Sequence, residues 1–273
     1  MKLGKISLLA PAALLLLGVW VPLGYIVGLS TSGNNGLRRY QSLATDPVLR
    51  RIFLNTFLVS LVVTLATLII GYCISLLLYQ AGPKTRRIML IGIILPFFTS
   101  VLIKSFSFVV LLGPHGLLAD GSAFFGFGHI SPLYSWTAVV IGMSYSLLPY
   151  MTLTLFASMS SLDQRPMLAS QSLGAGPVLR FWRITLPLTR SGAIGGSILV
   201  FVLSFGYYIT PALLGGPADS MVATTVATDA LTALNFAEAS ALAVGILVVV
   251  TTIFLLYLRL FGVSAFLSDR GII

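Results

Sequence analysis

The 273-residue chain is short of charge: 8% of its residues are charged, 16 of them Lys or Arg and 7 Asp or Glu. Soluble domains carry roughly 25%, and a water-exposed surface is built largely from such residues. A compact water-soluble enzyme is therefore excluded. Disorder is excluded too, because it needs low hydrophobicity, whereas 57% of these residues are hydrophobic and the mean hydropathy is +1.02. The single cysteine, Cys73, allows no internal disulfide, and with only two histidines beside it no zinc or other metal site is expected. The 26 Gly and 13 Pro follow no collagen-like triplet. None of the four lysines stands in the phosphate-binding spacing G-x-x-x-x-G-K-[ST], since Gly82-Pro83-Lys84-Thr85 lacks the upstream glycine. The chain is thus expected to hold no cofactor, neither ATP nor Mg²⁺. Energy for any work it does must come from a partner or an ion gradient.

What the sequence has in abundance is uncharged length. A membrane-spanning helix needs about 20 apolar residues. Six windows meet this, at about 6–29, 52–79, 88–112, 134–157, 191–214 and 239–260, in a single domain over 1–273. Unpaired backbone cannot face lipid, and the windows are too long for barrel strands, so an all-α integral membrane protein of six transmembrane helices is expected. The first window follows Lys2 and Lys5 like a signal peptide. Its uncharged run is longer than the roughly 7–15 residues of a signal core, and no A-x-A site follows, so it reads as a retained anchor.

The net charge of +9 has a direction. With the N-terminus inside, the internal segments carry 11 basic residues against Asp163 and Asp269, while five basic and five acidic residues fall elsewhere. The whole excess lies on one face, which the positive-inside rule makes cytoplasmic, with both termini. The basic composition is then a topology signal and calls for no nucleic acid.

The internal segment 161–190 is about three times as long as the other internal segments. It reads as two short helices. Asp163 suits an N-cap, Gly174 a C-terminal stop, Pro177 a first turn, and Pro187 an end or kink. Small residues (Ala169, Ser170, Gly174, Ala175) accompany exposed apolar ones (Met167, Leu168, Leu173). Apolar side chains on a water-facing loop mark a docking surface. The competing reading is an interfacial helix with Arg180 and Arg183 among headgroups.

Several residues are candidates for a polar path. Lys104 is the charge inside a span, a functional-site candidate by its cost there, unless it snorkels to a surface. Phe205-Gly206-Tyr207-Tyr208-Ile209-Thr210-Pro211 weakens a helix and offers aromatic faces to a cation, or else forms an interfacial belt. Asn55 and Thr56 either line the path or pair with another helix. Asp229 and Glu238 precede the last window, where solvated carboxylates are common and an acid at a helix start is favourable. His115 and His129 read as loop residues, and Trp20, Trp136 and Trp182 as interface anchors or packing groups.

The long loop carries a pattern. Leu168-Ala169-Ser170-x3-Gly174-x9-Ile184-Thr185-Leu186-Pro187 resembles the E-A-A-x3-G-x9-I-x-L-P loop of membrane subunits of bacterial binding-protein-dependent ABC importers, with Leu168 in place of the acidic residue. Leu95-Pro96-Phe97-Phe98-Thr99-Ser100-Val101-Leu102-Ile103-Lys104-Ser105-Phe106 is similar to L-P-F-W-T-S-x-L-I-R-x-Y of the B-type permeases of spermidine/putrescine importers. Leu111 to Leu118 and Thr210 to Pro217 fit the same subfamily. The resemblance implies the type I importer permease (MetI-like) fold and a path for a small organic solute of the polyamine kind. Relatives import other small solutes, such as amino acid derivatives or opines. It also implies a second permease of the C type, two cytoplasmic ATP-binding subunits that hold ATP and Mg²⁺, and a periplasmic solute-binding protein. The ATPase-coupling residues would be Asp163, Met167, Leu168, Ala169, Ser170, Leu173, Gly174, Ala175, Ile184, Leu186 and Pro187. The path candidates are Asn55, Lys104, Phe106, Tyr207, Tyr208 and Thr210. Against a gradient-driven transporter stands the lack of carboxylates within the spans. Against an intramembrane protease stands the placement of both histidines in loops.

Overall fold

A computed structural model of the chain describes residues 3–32, 36–126, 128–163, 165–172 and 174–261. Among these residues every regular element is helical. The order is α1 (Leu3–Thr31), α2 (Gly36–Thr45), α3 (Pro47–Gln80), α4 (Pro83–Ile94), α5 (Val101–Leu112), α6 (Leu117–Phe124) and α7 (Trp136–Ser160), then α8 (Arg165–Ser172), α9 (Pro177–Arg180), α10 (Leu186–Leu188), α11 (Arg190–Phe205), α12 (Ile209–Leu214), α13 (Val222–Leu231) and α14 (Phe236–Phe261). Five helical stretches are long and apolar enough to cross a membrane, and a sixth arises if the bent pair Val178–Leu188 and Arg190–Phe205 counts as one.

The core is built around α7. Met143, Leu147, Met151, Leu155 and Met159 recur every fourth residue, and all are fully or almost fully buried. That spacing keeps them on one face of a 3.6-residue helix. α3 and α11 lie along this face. The buried side of α3 is rich in small and hydroxyl residues: Ser60, Thr64, Thr67, Gly71 and Ser75 alternate with Val59, Val63, Tyr72 and Leu78. Lipid is as apolar as leucine, so membrane helices associate through close packing of small residues. Met151 shows the result. A side chain on Gly71 of α3 would start 3.0 Å from its Cγ, and one on Gly196 of α11 would start 2.9 Å from its sulfur. The threonine hydroxyls are satisfied within their own helix, as Thr64 donates to the Ser60 carbonyl (2.7 Å) and Thr67 to the Val63 carbonyl (2.8 Å), whereas the buried Ser60 hydroxyl has no partner among the described residues. Ser75 instead crosses to the Thr152 carbonyl of α7 at 2.9 Å.

Three segments depart from plain spans. Residues 88–112 are not one rod: α4 ends at Ile94, a 3₁₀ turn holds Leu95–Phe98, and α5 starts at Val101. Pro96 lacks an N–H, so α-helical bonding gives way to the 3₁₀ turn there, and the chain becomes extended at Thr99 (ψ 135°). Residues 191–214 divide at Gly206–Tyr208 into α11 and α12. The stretch after α1 is itself helical, holding α2, and α3 starts five residues ahead of the expected start, where Asp46 accepts a hydrogen bond from the Val48 N–H (2.7 Å) and Pro47 opens the helix.

α1 packs on α14 rather than on the α3–α7–α11 core. Arg39 of α2 ties this pair together. It donates to the carbonyls of Ser30 (3.2 Å) and Ser32 (2.9 Å) at the end of α1 and lies 3.9 Å from Glu238 in the first turn of α14. At the other end of α3, Arg86 donates to the carbonyls of Leu78 (3.0 Å), Tyr79 (3.2 Å) and Ala81 (3.1 Å). A cation at a helix C-terminus satisfies its free carbonyls and its dipole, so this basic residue does more than mark topology.

Candidate functional site

The long loop folds as a short arm. Asp163 accepts from the backbone N–H of Arg165 at 3.0 Å and so caps the start of α8. At its end Gly174 has φ +74°, and the Ala175 N–H closes on the Ser170 carbonyl at 3.0 Å. This six-to-one bond around a left-handed residue is a Schellman stop. Pro177 opens α9, which passes into a π turn over Phe181–Thr185 and then α10. Ser170 is buried; Gly174 and Pro187 are exposed, and Ala175, Ile184 and Leu186 are partly buried. Met167, Leu168 and Ala169 lie within α8, and Leu173 lies outside the described residues. The arm also presents Val178, Leu179 and Trp182, which are 69%, 46% and 61% exposed. Sequence reasoning did not select Val178 and Leu179, and read Trp182 as an anchor. The signal available was their position directly after Pro177, in the first turn of the helix it opens.

Where the arm meets the membrane helices the backbone turns through 66° between Val178–Leu188 and Arg190–Phe205. Thr189 stands at this corner and is fully buried. Pro187 and the π turn account for the bend, since both interrupt regular helical hydrogen bonding.

A second polar group lies at the break between α11 and α12. The hydroxyls of Thr210 and Ser105 are 2.9 Å apart, and the Tyr207 hydroxyl lies close to those of Ser146 and Thr210. α5, α7 and the α11–α12 break thus meet through four hydroxyls. Gly142, one turn before Ser146, makes the approach possible. A Cβ there would fall 2.5 Å from Leu214 Cδ1 and 2.8 Å from Thr210 Cγ2. Beside this cluster, the buried Lys104 shares a cavity of about 380 Å³ with Thr99, Ser107, Phe108 and Tyr145.

The path candidates are therefore only partly brought together. Lys104, Tyr207 and Thr210 converge on α5 and the α11–α12 break. Phe106 and Tyr208 are 51% and 40% exposed and point away from the core. Asn55 donates to the Ser220 carbonyl (3.1 Å), and Thr56 accepts from the Val222 N–H (2.9 Å). Both hold the segment before α13 against α3, which is the pairing alternative. Ser105 and Ser146 were missed, because a lone serine in an apolar window carries no pattern. In α13, outside the spans, burial lifts the Asp229 carboxyl above the ordinary carboxylate range.

A bent arm joined to a helical membrane core, with interrupted helices meeting at buried hydroxyls, is the architecture of a membrane transport subunit. The chain belongs to the family of binding-protein-dependent transport system inner membrane components, whose model matches residues 80–265. It is an ABC importer permease, a multi-pass protein of the inner membrane. Among its relatives is the spermidine/putrescine transport system permease protein PotB of Haemophilus influenzae, 32% identical over 216 residues that cover 78% of this chain and 76% of the relative. PotB of Escherichia coli strain K12 is 29% identical over 78% of each chain. The fold matches a bacterial alginate ABC transporter, solved in complex with its alginate pentasaccharide-bound periplasmic protein, at TM-score 0.76 and 19% identity, over 99% of this chain and 96% of that one.

Proposed function

We propose that this permease forms the translocation path of an ATP-driven importer for a small organic cation of the polyamine class. The observation that carries the reading is the capped, bent arm at 161–190 in a chain 32% identical to a spermidine/putrescine permease. In this reading the arm seats on one of two cytoplasmic ATP-binding subunits, which hold ATP and Mg²⁺. A second permease of the C type completes the path, and a periplasmic binding protein delivers the solute. The spans follow the six windows, with the third broken at 95–100, the fifth broken at 206–208 and the second begun at Pro47, and both termini are cytoplasmic, where the excess of basic residues lies. The site residues are the arm residues from Asp163 to Pro187 named above, with Lys104, Tyr207 and Thr210 on the path.

Uptake of radiolabelled spermidine into proteoliposomes holding the whole complex tests this. ATP-dependent uptake, unchanged when the proton gradient is collapsed, supports it. Uptake that survives ATP removal while a proton gradient is held would sink it. A second reading is import of a small solute bearing an anionic group, such as an opine-like amino acid derivative. Lys104 favours it, being a cation in a mostly apolar cavity with no carboxylate among its described lining residues. Competition of excess ornithine-derived opine against spermidine separates the two readings.

A further inference from the structure

The stretch from the start of the π turn at Phe181 to the corner at Thr189 is held at both ends by one residue of a different membrane helix. Tyr72 of α3 sets its ring edge-on to Phe181, with centroids 5.4 Å apart and planes at 83°. Its hydroxyl meets the Thr189 hydroxyl. The direction of that bond follows from the other contact of Thr189, which spends its hydroxyl hydrogen on the Thr185 carbonyl at 2.7 Å. A hydroxyl has one hydrogen to give, so Tyr72 donates to Thr189 and Thr189 donates to Thr185. The chain of bonds spans the 66° corner. It is shielded from water, with Tyr72 7% and Thr189 0% exposed.

A corner of this kind can behave in two ways. It flexes, so that arm motion is absorbed at Thr189, or it is braced, so that arm motion carries into the membrane helices. π turns are the weak points of helices and are enriched where function needs a local change of pitch. Here flexing would strip two buried hydroxyls of their partners, and a buried unpaired hydroxyl is costly. α3 in turn lies along both α7 and α11.

We propose that Tyr72 is a positioning residue that locks the arm to α3, so that displacement of the arm moves α3 instead of bending the chain at Thr189. The proposal rests on the reading that a partner ATPase drives the arm. Its chemistry is the two hydrogen bonds and the ring contact.

Cys73, exposed and the sole cysteine, lies next to Tyr72. With Leu179→Cys, a 46% exposed position on the arm, it makes a pair for nitroxide labels in the assembled complex. The distance distribution between them, with and without ATP–vanadate, reads the brace directly. In the otherwise native chain the distribution is expected to be narrow and to keep its centre in both states. Tyr72→Phe keeps the ring on Phe181 and removes only the hydroxyl. It is expected to raise the fraction of molecules outside the main peak about two- to tenfold, the range that one lost hydrogen bond allows. Thr189→Val should do the same, Thr189→Ser should restore the native distribution, and the Tyr72→Phe/Thr189→Val double variant should be no broader than either single one. A Tyr72→Phe complex with an unbroadened distribution in both states overturns the proposal. If no ATPase accompanies the native chain, the importer reading falls instead, and the same comparison on the isolated chain still decides whether Tyr72 braces the corner.

Discussion

The Ala175 N–H closes on the Ser170 carbonyl at 3.0 Å, and this bond ends the first helix of the arm. It requires the chain to turn back through Gly174, at φ +74°. Any residue with a Cβ is disfavoured there by about 1–2 kcal/mol. The space around Gly174 is open, with nothing within 4 Å of an added Cβ, so the cost is one of conformation and not of collision. Gly174→Val is expected to lose most of the ATPase that copurifies with the chain. Gly174→Asn should keep most of it, because Asn tolerates the left-handed region. Pull-down from detergent with a tagged permease measures both, and full retention by Gly174→Val would contradict the account.

Packing in the membrane core makes a different demand. Met151 fills the space between Gly71 and Gly196. Met151→Ala leaves a cavity and is expected to cost about 2–5 kcal/mol, seen as a lower midpoint of thermal unfolding in detergent. Gly192→Val should be worse, since even a Cβ would lie 2.3 Å from Ser158 Cβ. It is expected to yield little folded protein. Normal expression and an unchanged midpoint for Gly192→Val would show that α7 and α11 are not packed this closely.

The segment before α13 hangs on two side chains of α3. Thr56 and Val222 are fully buried, so Thr56→Val strands the Val222 N–H and should cost about 1–3 kcal/mol. Asn55 is half-buried, and water replaces much of its bond to the Ser220 carbonyl, so Asn55→Ala should cost less. Hydrogen exchange at 220–226 measures the order. Equal protection in both variants would contradict it.

Much of this was legible in the sequence, and for a clear reason. Uncharged length and charge asymmetry report on the solvent, so the helical membrane class followed from them. The stops of the arm were legible because Asp163, Gly174 and Pro177 act through local backbone geometry. The interruptions were harder to see. Pro96 sits inside an apolar window that hydropathy reads as continuous, whereas Gly206 was legible as a weak point of its helix, and α2 was hidden in a loop whose Arg39 seemed a plain external charge. The pairing of Tyr72 with Thr189, and of Ser105 with Thr210, depends on contacts over a hundred residues apart. No spacing rule reaches that far. Asn55 shows the converse: a polar residue at the head of a span looked equally suited to a path or a clasp, and only the geometry brings it to Ser220.

The central claim is that the arm at 161–190 is the seat of the ATPase. Cys73→Ala removes the lone cysteine, and Arg165→Cys then places a single thiol at the start of α8, where the native side chain is 91% exposed. Cross-linking this thiol in the purified complex measures the seat directly. The account predicts one product joining the permease to the ATPase, absent from a Ser32→Cys control on the opposite face. No such product in any nucleotide state, with the ATPase bound and the thiol reactive, would contradict it.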